Sequence, residues 1–333
     1  MILKSYNTCV YCGTKKFVLS KKKKFVKNFY IEAIKSDLNI TDKVLKKMKV
    51  YKCNNCHILQ NNPWFNDDDV FKIYSQIYGQ HNRSWTNVIK FFRNGIKPNH
   101  GKLFDILIEK IKIKNYAEFN SPFMGLLINF FSQEYNYSLK EGKMIFSNTL
   151  KYLSSRQVAG EKKTLQKKSQ LKALKFLKKT NLFKKKYQKK KTKIEKYLFT
   201  DNSIMAWGVN DNYKSVNGKA LAAELLDTKI KNIYDKNFIK FDLFGIFHTL
   251  DHTKHPKQIL DFALNNSKYV IVYCHVNEDL EKQHLFTFTR NFLNFLKKNK
   301  IYVLDLTNLI HKNYSSDEMY FLCSKIKNLK QFK

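Results

Sequence analysis

The chain has 333 residues and carries 62 Lys plus Arg against 27 Asp plus Glu, a formal net charge of +35. That length suits about two domains with a sizeable core, and a composition 43% hydrophobic and 15% aromatic excludes a disordered polybasic chain. Only four of the basic residues are Arg (Arg83, Arg93, Arg156 and Arg290). Arg is the bidentate reader of guanine and phosphate, so nucleic acid is not the expected partner. Asn, Ile, Phe and Tyr abound while Gly (10) and Pro (4) are scarce, the bias of an AT-rich genome, so part of the charge is lysine drift. Residues 1–13 lack an apolar signal core, and no apolar run approaches the roughly 20 residues a bilayer requires. A cytoplasmic protein without a transmembrane segment is expected.

Residues 1–65 read as a zinc-binding module. Cys9 and Cys12 form one C-x-x-C pair, and Cys53 and Cys56 a second. Each pair sets two thiolates on a tight turn, and two such turns supply four soft ligands in the tetrahedral arrangement of structural Zn2+. Gly13 follows the first pair and lets the turn fold back. A four-sulfur site is closed, so its role is folding, not catalysis. The Lys-rich text between the pairs predicts a strand and a short helix. Cys274 and Cys323 sit in apolar runs and read as core strand residues.

Residues 66–100 read as a helical connector or lid. Asp67 is placed to cap a helix over 70–78, and Tyr74 and Tyr78 fall one turn apart on its face. Two readings stand for these aromatics: packing between domains, or a lid facing substrate.

From 101 to 333 the pattern alternates strands and helices. A helix is predicted over 101–112, a strand over 115–119, and a helix starting at the apolar run 126–131. Strands follow at 204–209, 230–234, 241–247, 269–274, 301–306 and 319–323, with helices at 219–226, 256–264 and 290–297. Short apolar strands separated by helices indicate a parallel sheet covered on both faces. Between the last two strands there is no helix-length pattern, so these are expected to pair antiparallel. Ligands of such sheets sit beyond the carboxyl ends of the strands. The functional candidates are therefore residues 118–125, 210–212, 235, 247–252 and 275–278.

A basic insertion, 150–197, interrupts this pattern. Residues 161–196 hold 16 Lys and two Glu. Leu171, Leu174 and Leu177, then Leu182, Phe183 and Tyr187, give a narrow apolar stripe on one or two helices. It is read as a solvated helical insertion, with an electrostatic dock for an acidic partner as the other reading. Its aromatics are not spaced for base stacking.

Three segments together resemble a known family. The run from Cys53 to Gln60, C-x-x-C-x-x-x-Gln, with the earlier C-x-x-C-G and the Tyr74/Tyr78 pair, resembles the zinc-binding front module of bacterial sugar C-methyltransferases. Phe241-Asp242-Leu243 through Phe247-His248-Thr249-Leu250-Asp251-His252, then Pro256, resembles the "FDL…HVLEH…P" signature of class I S-adenosylmethionine-dependent methyltransferases. Gln283 to Thr289 resembles the "HL-x-x-F-[ST]" segment after their fifth strand. The resemblance implies a Rossmann-like α/β methyltransferase sheet with an N-terminal zinc ribbon and a Lys-rich helical insertion. It implies S-adenosylmethionine as cofactor and a small acceptor, a nucleotide-linked sugar, as substrate.

It also implies site residues. The cofactor turn after the first strand corresponds to Glu118, Asn120, Ser121 and Gly125, although the intervening glycines of the family are missing. The ribose acid after the second strand is replaced by Asn210, with Asp211 adjacent, while Asp235 keeps the acidic place after the third. Phe247 and His248 would line the cofactor pocket. For C-methylation of a keto sugar, His252 is the base that removes a proton alpha to the carbonyl, with Asp251 beside it and Tyr74 or Tyr78 bonding the enolate oxygen. The altered glycine turn keeps a second reading open, a non-catalytic methyltransferase-fold binding protein of surface-polysaccharide assembly. An RNA methyltransferase fits less well, because Phe-His-Thr-Leu-Asp-His stands where base N-methylases carry an Asn-Pro-Pro-Tyr-like segment.

Overall fold

A computed structural model describes residues 3–20, 29–66, 68–69, 98–119, 126, 196–200, 240–247, 250–252, 255–276, 280, 284–311, 317–326 and 329–332. The fold is mixed α/β. In chain order the strands and helices are β1 (Phe17–Leu19), α1 (Phe29–Asp37), α2 (Asp42–Lys47), β2 (Lys49–Cys53), β3 (Leu59–Asn62), α3 (Pro98–Lys110), β4 (Asn115–Phe119), β5 (Lys196–Thr200), β6 (Phe241–Phe247), α4 (Pro256–Asn266), β7 (Ser267–His275), β8 (Phe286–Thr287), α5 (Phe292–Lys298), β9 (Tyr302–Asp305), α6 (Thr307–Ile310) and β10 (Glu318–Ser324). The chain divides into two compact units. The first comprises Met1–Ile77, Ala222–Lys240 and Ile246–Lys333, and the second Tyr78–Leu221 and Phe241–Gly245.

In the first unit, β1, β2, β3 and β8 form an antiparallel sheet in that order. The last strand of this sheet comes from the far end of the sequence, so the cysteine-bearing segment and the C-terminal segment fold as one body. Tyr11, between the first two cysteines, is 4% exposed. It packs edge-on against Phe292 with ring centroids 4.8 Å apart, and reaches Phe288 and Phe295 as well.

The same unit holds β7, β10 and β9 in that order, with β10 antiparallel to both neighbours. The expected antiparallel pairing of the last two strands is observed, and β7 joins them antiparallel as well. Residues 269–274 of β7 are buried without interruption, as a strand covered on both faces requires. Cys274 and Cys323 are fully buried strand residues, and burial pushes both thiols up from their ordinary values. Helix α4 begins with Pro256, whose fixed φ and missing N–H suit a first turn. It buries Ile259, Leu260, Ala263 and Leu264 along one stripe. It ends where side chains take over its last carbonyls: Asn266 Nδ2 donates to Phe262 O at 2.8 Å and Ser267 Oγ to Ala263 O at 2.6 Å.

In the second unit the strand order is β5, β4, β6, with β4 and β5 parallel and Asn115 opposite Lys196. Five residues of β6 belong to this unit, Phe241–Gly245. Buried Asp242 accepts the Lys114 N–H through Oδ2 at 2.8 Å, which fixes the chain just before β4. The partner of β4 is thus Lys196–Thr200, at the end of the Lys-rich stretch; the sequence places that strand at 204–209, which lies outside the described residues. So do the strand expected at 230–234, the helix expected at 219–226, the helix expected after 126 and nearly all of the insertion. At the connector, Asn66 Oδ1 accepts the Asp69 N–H at 2.9 Å, while Asp67 and the helix expected over 70–78 lie outside the described residues.

Candidate functional site

The two cysteine pairs converge. The Sγ atoms of Cys9, Cys12, Cys53 and Cys56 all lie within 4.8 Å of one another. Across the pairs, Cys9 and Cys56 are 3.5 Å apart and Cys12 and Cys53 3.6 Å. Sulfurs bound tetrahedrally to one ion by bonds of about 2.3 Å sit roughly 3.8 Å apart, so the cluster fits a structural Zn2+. Hydrogen bonds from Cys53, Cys56 and Cys9 hold the Cys12 thiol far below its ordinary value, while the same kind of crowding pushes Cys56 up. A metal bound here displaces the thiol protons, so its affinity rises with pH.

The two turns are built alike. Gly13 N–H donates to Cys9 O at 2.9 Å, and His57 N–H to Cys53 O at 3.0 Å. Cys9 N–H donates to Thr14 O at 2.8 Å, and Cys53 N–H to Ile58 O at 2.9 Å. Both residues that follow a pair are left-handed, Gly13 with φ +72° and His57 with φ +63°. The sequence signals the first by its glycine. The second hides behind a histidine, which bears the conformational cost of a left-handed backbone.

Strand β3 ties these turns to the rest of the unit through three successive amide side chains. Gln60 Oε1 accepts the Val10 N–H at 3.1 Å, inside the first turn. Asn62 exchanges two bonds with Tyr6, accepting its N–H at 2.9 Å and donating to its carbonyl at 2.7 Å. Asn61 points the other way. Its Nδ2 donates to His284 O at 2.6 Å and its backbone N–H to Leu285 O at 2.7 Å. Thr289 Oγ1 adds a bond to His57 O at 2.8 Å.

His284 belongs to a second cluster. Asp251, His275 and His284 each bring one donor atom within 4.8 Å of the others. Asp251 lies in a 3-10 turn shortly after β6, Leu250–His252, and is 1% exposed. Its Oδ2 is 2.7 Å from His275 Nδ1 and accepts the His275 N–H at 3.3 Å. His275 ends β7, with its side chain 32% exposed, and its carbonyl accepts Thr287 Oγ1 at 3.0 Å. The His275 and His284 rings lie 5.7 Å apart, centre to centre. Next to His275 across the β7–β10 ladder stands Glu318, bonded to Tyr273 and 3.4 Å from His311 Nε2. Tyr273 and Tyr320 stack with centroids 4.3 Å apart.

Of the site residues read from the sequence, the four cysteines come together. Asp251 is buried against His275, a candidate only through its place after a strand. Phe247 is the buried last residue of β6, His252 closes the 3-10 turn, and Glu118 lies in β4. Tyr74, Tyr78, Asn120, Ser121, Gly125, Asn210, Asp211, Asp235 and His248 lie outside the described residues. The residue that sequence reasoning missed is His284, whose one signal is its place in the Gln283–Thr289 segment. No helix among the described residues is long and apolar enough to cross a membrane. No protein-family model matches the chain, and no curated protein matches it either.

Proposed function

We propose that the chain is an S-adenosylmethionine-dependent methyltransferase acting on a small acceptor, a nucleotide-linked sugar, with the four-cysteine cluster as its structural zinc site. One observation carries this reading. The second unit has the strand order β5, β4, β6 with β4 and β5 parallel, so the winding reverses beside β4. Open α/β sheets bind nucleotide-like ligands at such a reversal, beyond the carboxyl ends of the strands. The segment leaving β4 is the one that the family resemblance assigns to the cofactor, Glu118 through Gly125.

The strand pairing also changes which acid suits the ribose. Because β5 is Lys196–Thr200, the next residue in the chain is Asp201. An aspartate in that place supplies the charged acceptor that Asn210 lacks. The cofactor would supply an activated methyl group. The chain must orient the acceptor and take its proton. His252 is the base on this reading, and Asp251, pinned by His275, holds the turn that carries it.

Titration calorimetry on zinc-loaded protein tests this. Saturable binding of S-adenosylmethionine, and of S-adenosylhomocysteine, is expected, weakened at least tenfold by Asp201→Asn. Folded, zinc-loaded protein that binds neither compound would leave the non-catalytic binding protein as the surviving reading.

A further inference from the structure

We infer that Asp251, His275 and His284 form a second metal site, distinct in chemistry from the cysteine cluster, that takes a first-row divalent transition ion and leaves coordination positions open. The three donors come from three separate segments: the turn after β6, the last residue of β7 and the approach to β8. Hydrogen bonds hold each segment, those of Asp251 coming from His275 itself. His275 is held by Thr287 on its carbonyl, and His284 by Asn61 from β3. The three donor atoms fall within 4.8 Å of one another. Ligands on one ion with bonds of about 2.1 Å lie roughly 3 to 4.2 Å apart. A small closure therefore suffices, in which the ion replaces the proton shared between Asp251 Oδ2 and His275 Nδ1.

Two imidazoles and one carboxylate are borderline donors. They suit Zn2+, Fe2+, Mn2+ or Co2+ and not Mg2+ or Ca2+, which demand oxygen. Three protein ligands do not close a tetrahedral or octahedral shell, so water or an oxygen of a substrate completes it. The exposed third of the His275 side chain gives the ion a way in. Ion binding here does not depend on the methyl-transfer reading, and S-adenosylmethionine binding is a separate measurement.

The test uses the full chain. Protein purified with excess Zn2+, then freed of loose metal by gel filtration, is expected to hold two Zn2+ per chain by elemental analysis. His284→Ala and His275→Ala should each lower this to one, while the cysteine site keeps its ion. Co2+ serves as a spectroscopic probe in the unaltered protein. The first equivalent should give intense sulfur-to-cobalt charge-transfer bands, and the second only weak d–d bands with no added sulfur charge transfer. One metal per chain, or two that persist in both histidine variants, would overturn the proposal. So would a second Co2+ equivalent with no spectrum of its own, and the Co2+ result decides even if a variant folds poorly.

Discussion

Asn61 donates its side-chain amide to the carbonyl of His284, 223 residues away, at 2.6 Å. The strand that leaves the second cysteine pair thereby holds a member of the histidine–aspartate cluster in place. Asn61 is fully buried, so its replacement removes a donor from a site with little access to water. Asn61→Ala is expected to destabilise the fold by about 1–3 kcal/mol. Asn61→Asp, which keeps the shape but presents an acceptor to an acceptor, should cost at least as much. Urea denaturation followed by circular dichroism measures both, and an unchanged midpoint for Asn61→Asp would mean that the bond contributes nothing.

The paired turns make opposite predictions for two similar positions. Gly13 adopts φ +72°, and a Cβ built there meets nothing within 4 Å. The cost of Gly13→Ala is therefore conformational alone, about 1–2 kcal/mol. At His57, φ +63° is already borne by a side-chain residue. His57→Gly relieves that strain at the cost of a looser unfolded chain, so the net change should be a gain of at most about 1 kcal/mol. Thermal melts of the two variants, zinc-loaded, should move in opposite directions.

Zinc removal should be felt well beyond the cysteines. Tyr11 stands between two of them and plugs the aromatic group of Phe288, Phe292 and Phe295. Trp64, 1% exposed, exchanges backbone bonds with Lys4 just ahead of the first pair. Stripping the ion with a strong chelator is expected to red-shift Trp64 emission, observed in a variant with Trp85 and Trp207 changed to Phe. Tyr11→Ala should cost about 3–5 kcal/mol, as large-to-small changes of buried aromatics do. Emission unaltered by chelation would mean that the cluster folds without metal.

Legibility from sequence followed the kind of force at work. Apolar runs gave β6 to the residue, and Pro256 with its following stripe gave the start of α4, because burial writes a periodic pattern. The cysteine spacing gave the four-cysteine cluster because its members are local pairs. Strand β3 is different. Gln60, Asn61 and Asn62 have no strand-like composition, and what makes them a strand is amide bonding to Val10, Tyr6 and His284 far along the chain. Strand β5 is hidden by the lysines before it. Asp251 and His275 were legible only as residues that follow or end strands; their meeting depends on how the 3-10 turn lies against the end of β7, which no local pattern writes.

The stacked tyrosines set the behaviour at high pH. Burial above all, then the neighbouring Tyr320 and Glu318, pushes the Tyr273 phenol well above its ordinary value of 10.0. Burial and Glu318 do the same for Tyr320, and burial does it for Tyr11. The folded state therefore holds these protons more tightly than the unfolded state does. Their contribution to stability is fully present below about pH 10 and is lost as the pH rises from there toward the folded values. Of the 19 tyrosines, at least these three should stay protonated in the folded protein. Absorbance at 295 nm should then rise in two stages, with the second coinciding with loss of the circular dichroism signal. Tyr320→Phe removes one such group without emptying the stack, so it should move the alkaline unfolding midpoint upward. A single smooth titration of all tyrosines before unfolding would show that the pair is open to hydroxide and that the β7–β10 face is looser than its packing implies.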